Sequence, residues 1–352
     1  MDLVSKKINF QLNKKVYLIG EIGVNHNRNL KTLFNLIDVG ISSGVDIIKL
    51  QRFNSELEIS KYAPSTDYQK KNCNFKNQLE LAKSLELPDE WIFKAYSYCK
   101  KKKIGFLCAA FDNESVDFIS EKLKCTTVKS PSSEITNKFL LERMSKKFKS
   151  IIVSTGASTM KECLNAKKWI LKRNKVAELL FMHCVSEYPS PLAQSNLNVI
   201  KSMKKKLKLP IGFSDHTDGI IAPIMSVQNG CVLIEKHYTL DKNMKGPDHK
   251  ASLDPVQLKM LAETLKRYYE IMGNGVKKPQ RSELRNKNLI RKSIVCSKNI
   301  LKKGKIITEK DINFKRPYFV GSIIPEDYKK IIGRKLKLDL SHDKPFFFKY
   351  FK

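Results

Sequence analysis

The chain has 352 residues, a formal net charge of +31 at pH 7 and 41% hydrophobic residues. This length excludes a single small domain and suits a barrel of about 250 residues with an added domain. The lysines are spread along the whole chain, which favours a basic, solvated surface that serves anionic substrates. The eight cysteines form no CxxC motif, so we expect reduced, buried thiols and a cytoplasmic location.

A basic protein that binds nucleic acid or a membrane surface is the alternative class of function. Such a protein would cluster Lys and Arg with aromatic side chains, and residues 344–350 (KPFFFKY) are the one such stretch. We interpret this stretch as a strand with an apolar docking face. No stretch approaches 18 apolar residues, and the first ten residues lack the apolar region of a signal peptide. We therefore expect neither nucleic acid nor membrane as a partner.

Short apolar runs alternate with helical patterns along most of the chain. The predicted strands cover 16–23, 46–53, 104–112, 126–134, 150–156, 178–189, 211–213 and 232–234. The predicted helices cover 30–44, 78–87, 89–102, 114–122, 137–147, 159–172, 196–207, 219–230 and 254–272. The strands are continuous apolar runs, as in parallel sheets that are buried on both faces. Eight β–α units predict a (β/α)8 TIM barrel, with a doubly wound open sheet as the alternative; no GxGxxG motif follows the first strand.

The pattern of apolar and polar residues changes after the last predicted helix. We expect a TIM-barrel catalytic domain over 1–273, a linker over 274–288 and a small β-rich domain over 289–352. The linker segment is Gly-rich and then polar, without an apolar period. The C-terminal domain has short β-type runs separated by a Lys-Lys-Gly turn. It is small for a domain that is stable on its own core, so it should pack on the barrel or on a partner subunit.

In a TIM barrel the site lies at the carboxyl ends of the strands, so polar residues there are candidates. They are Glu21, Asn25, His26, Lys49, Gln51, Lys129, Ser132, Glu134, Ser154, Thr155, His183, Ser186, Glu187, Tyr188, Ser214, Asp215, His216, Glu235, Lys236, His237, Asp248 and His249. Lys49 and Lys129, together with several hydroxyl groups, predict a site for a phosphorylated, carboxylated substrate. The alternative is that the lysines only pair with neighbouring carboxylates.

Two of the histidines end adjacent predicted strands. Neutral imidazoles at His216 and His237 can share a divalent cation and leave its other positions open for substrate oxygens. We expect His26 and His183 to be structural and to orient loops by hydrogen bonds. A Schiff-base aldolase with Lys129 as the amine is a further alternative, which the paired histidines and paired lysines disfavour.

The chain resembles the sialic acid synthase family in a series of stretches that occur in the same order: EIGVNHN, IIKLQRF, FLCAAFD, VKSPSSE, IIVSTGAS, MHCVSEYPSP, GFSDHTDG, IEKHYTLDKNMKGPDHKASL, GVKKPQRSE and FKRP. The resemblance covers nearly the whole chain. It implies a (β/α)8 barrel followed by a C-terminal SAF (antifreeze-like) domain. It also implies that phosphoenolpyruvate condenses with an N-acylated mannose-type sugar, releasing phosphate and a nine-carbon 2-keto acid, with Mn²⁺ or Mg²⁺ as the cofactor.

The resemblance further implies a role for each candidate residue. His216 and His237 would hold the metal. Phosphoenolpyruvate would be held by Lys49, Lys129, Ser132, Ser154 and Ser214. The sugar would be held by Gln51, Glu134, Tyr188, Glu235 and Asp248, with Ser186 as a further substrate-binding residue. Glu21 or Glu134 would handle the proton of the attacking water, and Arg316 of the SAF domain would enter the barrel of the neighbouring subunit in a domain-swapped homodimer.

The chain departs from the family pattern in several places. Cys108-Ala109-Ala110 replaces Ser-Thr-Pro, which removes a phosphate-binding hydroxyl at Ala109, and Ser133 replaces a glycine. Tyr318-Phe319-Val320 interrupts the Gly-rich turn that follows Arg316-Pro317. Ser186-Glu187-Tyr188-Pro189 replaces Asn-x-Tyr-Pro, a form also seen in relatives that make legionaminic acid. N-acetylmannosamine, giving N-acetylneuraminate, is the first expectation; 2,4-diacetamido-2,4,6-trideoxymannose, giving legionaminate, is the second.

Overall fold

Eight parallel strands close into a barrel in their sequence order, and β8 pairs with β1. The computed structural model describes residues 15–64, 75, 77–175 and 177–352. The barrel strands are β1 (Tyr17–Glu21), β2 (Ile47–Arg52), β3 (Gly105–Ala110), β4 (Thr127–Ser130), β5 (Ser150–Ser154), β6 (Glu178–Cys184), β7 (Ile211–Asp215) and β8 (Cys231–His237). The predicted (β/α)8 barrel is confirmed, and the doubly wound alternative is wrong.

Helices alternate with the strands, and most of them pack on the outer face of the barrel. They are α1 (Leu30–Ser43), α2 (Ser55–Glu58), α3 (Gln78–Leu85), α4 (Asp89–Lys101), α5 (Asn113–Asp117), α6 (Lys138–Lys147), α7 (Met160–Arg173), α8 (Val199–Leu207), α9 (Ile221–Gln228) and α10 (Pro255–Met272). Local sequence explains their limits. The side chain of Asn29 accepts a hydrogen bond from the first turn of α1, and Gly44 ends that helix with a positive φ of 89°.

Several predicted strands differ in length from the observed ones. The fourth was expected to reach residue 134, but Pro131 follows β4 and Ser132–Glu134 form a 3₁₀ turn. The sixth was expected to reach residue 189 and ends at Cys184. The last two strands are longer than predicted, because polar residues such as Asp215 and His237 continue the ladder instead of ending it.

Side chains inside the barrel change from apolar to polar along the strands. Ile19, Ile47, Leu107, Ile152 and Leu180 belong to one buried cluster inside the barrel. Successive side chains of a strand point to opposite faces, so the next inward positions lie two residues further on. Those positions hold charged or hydroxyl groups at the carboxyl ends of several strands, and this inner polar layer is the floor of the site.

Residues 274–352 form a second compact unit with its own core. It contains α11 (Arg281–Leu284), α12 (Lys287–Ile290), β9 (Ser293–Cys296), β10 (Ile300–Leu301), β11 (Ile312–Lys315) and β12 (Leu340–Ser341). β9 pairs with β11 and β10 with β12, both antiparallel. Residues 274–288, for which a linker was predicted, fall within this unit and include a short helix.

The C-terminal aromatic stretch is not the predicted strand. Pro345 forms an isolated bridge with Val295, and residues 348–350 form a 3₁₀ turn. Phe346 is fully buried and stacks on Phe351 with 5.9 Å between ring centroids. The aromatic side chain at position 346 therefore builds the core of the second unit, and the expected docking face is wrong at this position.

The cysteines described by the structure agree with a reduced protein. Cys99, Cys108, Cys125, Cys163, Cys184, Cys231 and Cys296 are free and buried. The eighth cysteine, Cys73, lies outside the described residues. Across the described ranges no helix combines the length and apolar character needed to cross a membrane.

Candidate active site

A cavity of about 430 Å³ opens at the carboxyl ends of the barrel strands. Of the barrel residues to which the resemblance assigns a role, all except Glu134 line it: Glu21, Lys49, Gln51, Lys129, Ser132, Ser154, Ser186, Tyr188, Ser214, His216, Glu235, His237 and Asp248. They converge because parallel strands of a closed barrel end on the same face.

Glu235 is the centre of the charged floor. Its Oε1 lies 2.8 Å from Nζ of Lys49, and its Oε2 lies 2.8 Å from Nζ of Lys129. The hydroxyl of Ser214 also donates to Oε1 at 3.0 Å. Burial alone would raise the pKa of Glu235, but the charges of Lys129 and Lys49 hold it well below its usual range. The two predicted phosphate-binding lysines are therefore ion-paired through one carboxylate.

Glu21 is a second buried carboxyl beside the same lysine. Gln51 donates a hydrogen bond of 2.7 Å to its Oε1, and Oε2 lies 3.2 Å from Nζ of Lys49. Among the described residues Oε2 has no hydrogen-bond donor in suitable geometry. Burial, opposed by Lys49 and assisted by the charge of Glu235, raises the pKa of Glu21. A carboxyl with a raised pKa and an oxygen that lacks a well-placed hydrogen-bond donor can exchange a proton with a substrate or a water molecule.

A glycine brings hydroxyl groups together on the opposite side of the floor. A Cβ atom at position 156 would lie 2.0 Å from Oγ of Ser186 and 2.8 Å from Oγ of Ser132. The N–H of Gly156 donates to Oγ of Ser132 at 2.9 Å. Only glycine allows two hydroxyls and a backbone N–H to meet this closely. A group of donors of this kind suits the oxygens of a phosphate or a carboxylate.

The two strand-end histidines face each other across 5.7 Å between ring centroids. Nδ1 of His216 donates to the carbonyl of Val185 at 2.7 Å, so the lone pair of the neutral ring lies on Nε2, which accepts from the hydroxyl of Tyr188 at 2.8 Å. Nδ1 of His237 is buried and has no hydrogen-bond partner among the described residues. The nearest charged oxygen to this nitrogen is Oδ2 of Asp248, 3.9 Å away.

The chemistry of these donors fits a divalent cation in an open site. Burial lowers the pKa of His216 to about 4 and that of His237 well below its usual value, so both rings are neutral at pH 7. Burial, assisted by the charge of Glu21, raises the pKa of Asp248 to about 7. Within the described ranges no group of three or more His, Cys, Asp or Glu side chains is already assembled as a cage. Two imidazoles would leave the remaining positions for substrate oxygens.

A buried ion pair outside the barrel holds the strands that end in these histidines. Lys236 and Asp215 are neighbours in the β7–β8 ladder, and Nζ of Lys236 lies 2.5 Å from Oδ2 of Asp215. The same ammonium donates to the carbonyl of Thr217, whose own N–H donates to Asp215 at 3.0 Å. These contacts fix the turn after β7 and therefore the position of His216.

Other predicted residues are not among those that line the cavity. Glu134 accepts a hydrogen bond of 2.7 Å from Asn137, and Arg316 belongs to the second unit. His183 bonds the carbonyl of Ser195 at 2.8 Å, and Nδ1 of His26 accepts from the N–H of Arg28 at 2.9 Å. The two histidines therefore orient loops, as the sequence predicted.

One wall of the cavity is not predicted by the sequence. It is formed by residues after β2 and β3 and by the helices between them: Phe53, Glu58, Ile59, Gln78, Leu81, Ala82, Leu85 and Phe111. Most of these side chains are apolar, and their spacing in α3 matches that of a helix that packs on a core. No local pattern distinguishes such a helix from one that borders a cavity.

Comparison with known proteins assigns the barrel to a family. Residues 36–277 match the model of the NeuB family. The chain is also similar to N,N'-diacetyllegionaminic acid synthase of Campylobacter jejuni, with 41% identity over 90% of this chain and 98% of that protein. The enzyme of the same name from Legionella pneumophila is 34% identical over 92% of this chain and 91% of its own length.

A solved structure supports the same assignment. The crystal structure of N-acetylneuraminic acid synthetase from Leptospira borgpetersenii, in complex with citrate, is 30% identical to this chain, with a TM-score of 0.68. The match covers 78% of this chain and 90% of that one.

Proposed function

Because the chain belongs to the NeuB family, we propose that it condenses phosphoenolpyruvate with 2,4-diacetamido-2,4,6-trideoxymannose to give N,N'-diacetyllegionaminate and phosphate. The chain is an enzyme of the nonulosonate synthase class, and these enzymes are phosphoenolpyruvate-dependent. The finer choice of sugar is the proposal. That choice depends most on one observation. The chain is similar to the C. jejuni enzyme over almost the whole of both chains.

The reaction proposed joins C3 of phosphoenolpyruvate to the aldehyde carbon of the open-chain sugar. The aldehyde oxygen takes up a proton as the new carbon–carbon bond forms. Water then adds to C2 and gives a proton to a base. The bond between C2 and the phosphate oxygen breaks, which leaves the 2-keto acid and free phosphate.

The charged floor is suited to hold phosphoenolpyruvate. Lys49 and Lys129 are buried, and both are ion-paired with Glu235. A bound anion would share these ammonium groups with Glu235 and would add contacts to the hydroxyls around Gly156. Ala109 supplies no hydroxyl here, so these serine hydroxyls would take a larger part in binding the phosphate.

Glu21 is the base that the geometry favours for the water. It lines the cavity, and its Oε2 has no suitably placed donor among the described residues. Glu134, the other candidate from the sequence, accepts a hydrogen bond from Asn137 and is not among the residues that line the cavity. We therefore assign the proton of the attacking water to Glu21 and a supporting role to Gln51, which orients its carboxyl group.

His216 and His237 would hold the divalent cation, Mn²⁺ or Mg²⁺. When bound, the cation would act as a Lewis acid toward the aldehyde oxygen of the sugar. The chain itself contributes neutral rings, because burial lowers the pKa of both histidines. Tyr188 must turn its hydroxyl away from Nε2 of His216 to release that lone pair, and the same hydroxyl is then available to the sugar.

The names of the relatives favour the second of the two sugars expected from the sequence over the first. N-acetylmannosamine was the first expectation, and the 2,4-diacetamido sugar was the alternative. The enzymes from C. jejuni and L. pneumophila both bear the name N,N'-diacetyllegionaminic acid synthase. The Ser186-Glu187-Tyr188-Pro189 form of the sixth strand end supports the same choice.

We also propose the domain-swapped homodimer in which Arg316 serves the site of the neighbouring subunit. A complementation experiment tests this. Lys129→Ala and Arg316→Ala proteins, each inactive alone, are mixed under conditions that exchange subunits. Recovery of activity toward one quarter of the wild-type value would support the swap, because one site of each mixed dimer is then intact. Failure to recover activity in proven mixed dimers would overturn it.

The proposed reaction is tested by offering the two sugars in parallel with phosphoenolpyruvate. Phosphate release gives the rate, and mass spectrometry identifies the nine-carbon product. The expected result is a higher kcat/KM for the diacetamido sugar. A preference for N-acetylmannosamine would overturn the choice of sugar, and no phosphate release with either would overturn the reaction.

A further inference from the structure

The cavity has an apolar wall on one side of its mouth. Six apolar side chains form this wall: Phe53, Ile59, Leu81, Ala82, Leu85 and Phe111. The rings of Phe53 and Phe111 contact each other edge to face, with 5.8 Å between centroids. The remaining wall of the cavity carries the charged and hydroxyl groups described above.

The apolar wall is held in place by polar contacts behind it. Glu86, just after α3, accepts hydrogen bonds from the N–H of Ser55 at 3.0 Å and from its hydroxyl at 2.7 Å. Lys83 of α3 lies 2.6 Å from Glu56 of α2. These contacts tie α2 to α3, so the surface that faces the cavity is preformed and does not depend on a ligand.

The wall lies across the barrel mouth from His216. Phe53 follows β2 and Phe111 follows β3, whereas His216 follows β7 and His237 ends the neighbouring β8. In a closed barrel of eight strands, β3 faces β7 across the axis. A six-carbon sugar whose aldehyde lies at the histidine pair would therefore direct its far end toward the apolar wall.

Two polar groups border this wall. Glu58 and Gln78 line the cavity beside the apolar side chains. Burial, assisted by the charges of Glu134 and Asp112, raises the pKa of Glu58 to about 7. A protonated carboxyl donates a hydrogen bond, and an amide side chain both donates and accepts. Glu58 and Gln78 can therefore bond both the carbonyl and the N–H of an acetamido group. A hydroxyl group at the same position of the sugar would make fewer hydrogen bonds with them.

We propose that the apolar wall is the specificity surface for carbons 4 to 6 of the sugar, where it selects a 6-deoxy, 4-acetamido sugar over a fully hydroxylated one. This inference rests on the proposed function and assigns its substrate choice to residues. The 6-methyl and the acetamido methyl would bury against Ile59 and Leu85. A 6-hydroxyl placed there would lose its water without gaining a partner, which is unfavourable.

The first test uses the unaltered enzyme and varies only the sugar. The probes are 2,4-diacetamido-2,4,6-trideoxymannose and its 6-hydroxy counterpart, each with phosphoenolpyruvate at saturation. We expect the extra hydroxyl to lower kcat/KM about 100-fold, the order of magnitude found when an apolar pocket receives a substrate with an added hydroxyl. Equal kcat/KM values for the two sugars would overturn the proposal.

The second test alters the wall and compares each variant with a matched control. Ile59→Asn and Leu85→Asn place an amide where the methyl groups would lie. The control is Leu57→Asn, because Leu57 is 55% exposed, belongs to α2 and does not line the cavity. We expect the preference for the 6-deoxy sugar to fall at least about 4-fold in each wall variant and to stay unchanged in the control. A change of about 4-fold corresponds to the free energy of burying one methyl group.

The outcomes separate this inference from the proposed function. If the wild type releases no phosphate with either sugar, the function and the inference are both overturned. Normal turnover with a preference that no wall variant alters would leave the function standing and overturn the inference. Ala82→Ser, a smaller change at the same wall, replaces any variant that thermal melting shows to be unfolded, and it must shift the preference in the same direction.

Discussion

The ammonium group of Lys129 lies 2.8 and 3.0 Å from the two carboxylate oxygens of Glu235, and both side chains are buried at the centre of the barrel. Removing one member of such a pair leaves the other charge buried without its partner. Glu235→Gln should therefore lower the free energy of unfolding of the ligand-free protein by about 3 kcal/mol. Thermal or urea unfolding measures this change.

The same variant should respond more strongly to phosphoenolpyruvate than the wild type does. Lys49 and Lys129 lack their shared carboxylate in Glu235→Gln, so a bound anion restores the missing negative charge. The shift in melting temperature at saturating phosphoenolpyruvate should be larger than the wild-type shift. Glu142→Gln, which removes a surface carboxylate paired with Arg173, is the control and should leave both quantities almost unchanged. A smaller ligand shift in the Glu235 variant than in wild type would contradict this account.

Tyr188 and the metal compete for one nitrogen of His216. The Tyr188 hydroxyl bonds Nε2 at 2.8 Å, and its ring stacks on the imidazole with 4.0 Å between centroids. Tyr188→Phe keeps the stacking and removes the hydrogen bond, so we expect Mn²⁺ to bind about 5-fold more tightly, the value of one ordinary hydrogen bond. Calorimetric titration with Mn²⁺ measures it, with Tyr62→Phe, at a tyrosine that is 82% exposed, as the control. Weaker binding would mean that the hydroxyl supports the metal.

Gly156→Ala should weaken the binding of phosphoenolpyruvate. The added Cβ would displace the hydroxyls of Ser132 and Ser186, which it would otherwise approach to 2.8 and 2.0 Å. The KM for phosphoenolpyruvate should rise about 10- to 100-fold, as expected when hydrogen bonds to a charged group are lost. Ser158→Ala nearby removes a bond to the carbonyl of Thr155 and leaves the cavity lining unchanged, so it serves as the control. An unchanged KM in Gly156→Ala would place the phosphate elsewhere in the cavity.

The pH dependence of sugar binding should report on Glu58. Its pKa is about 7 in the folded protein and 4.5 for the ordinary side chain, so the folded state holds a proton in the range between these values. As the pH rises through 7 this proton is lost, and the KM for the diacetamido sugar should increase. For the same reason the stability of the folded protein should fall as the pH rises from about 4.5 to 7.

Glu58→Gln should remove the rise in KM and reduce the fall in stability, because glutamine keeps a donor and does not titrate. Glu56→Gln, at an exposed residue of the same helix, should keep them. Profiles of KM against pH for the three proteins provide the measurement. A Glu58→Gln enzyme whose KM still rises through pH 7 would assign the effect to another group, such as Asp248.

The strand pattern was sufficient to predict most of the floor of the site. Lys49, Lys129 and Glu235 all occupy inward positions at the ends of their strands, and sequence order alone places those ends together in a barrel. For Glu134 the pattern was less informative, because Pro131 ends β4 early and the following turn directs the carboxyl to Asn137. That direction depends on side-chain packing, which a one-dimensional pattern does not contain.

The apolar wall could not be predicted for a different reason. Leu81 and Leu85 have the spacing of an amphipathic helix, and such a stripe normally faces a core. Whether it faces a core or a cavity depends on what lies opposite, and here the opposite side is formed by loops after two other strands. The contact between Phe53 and Phe111, separated widely in sequence, gives no local signal either.

The alternation of side chains along β8 decides the sign of the charge inside the barrel. Glu235 points inward to the two lysines, whereas the next residue, Lys236, points outward to Asp215. Sliding β8 by one residue against its neighbours would exchange these two and would assemble three ammonium groups around an empty centre. A one-residue insertion or deletion between α9 and β8 would therefore reverse the polarity of the site without changing the composition of the chain. The connection before β8 should tolerate substitutions far better than changes in its length.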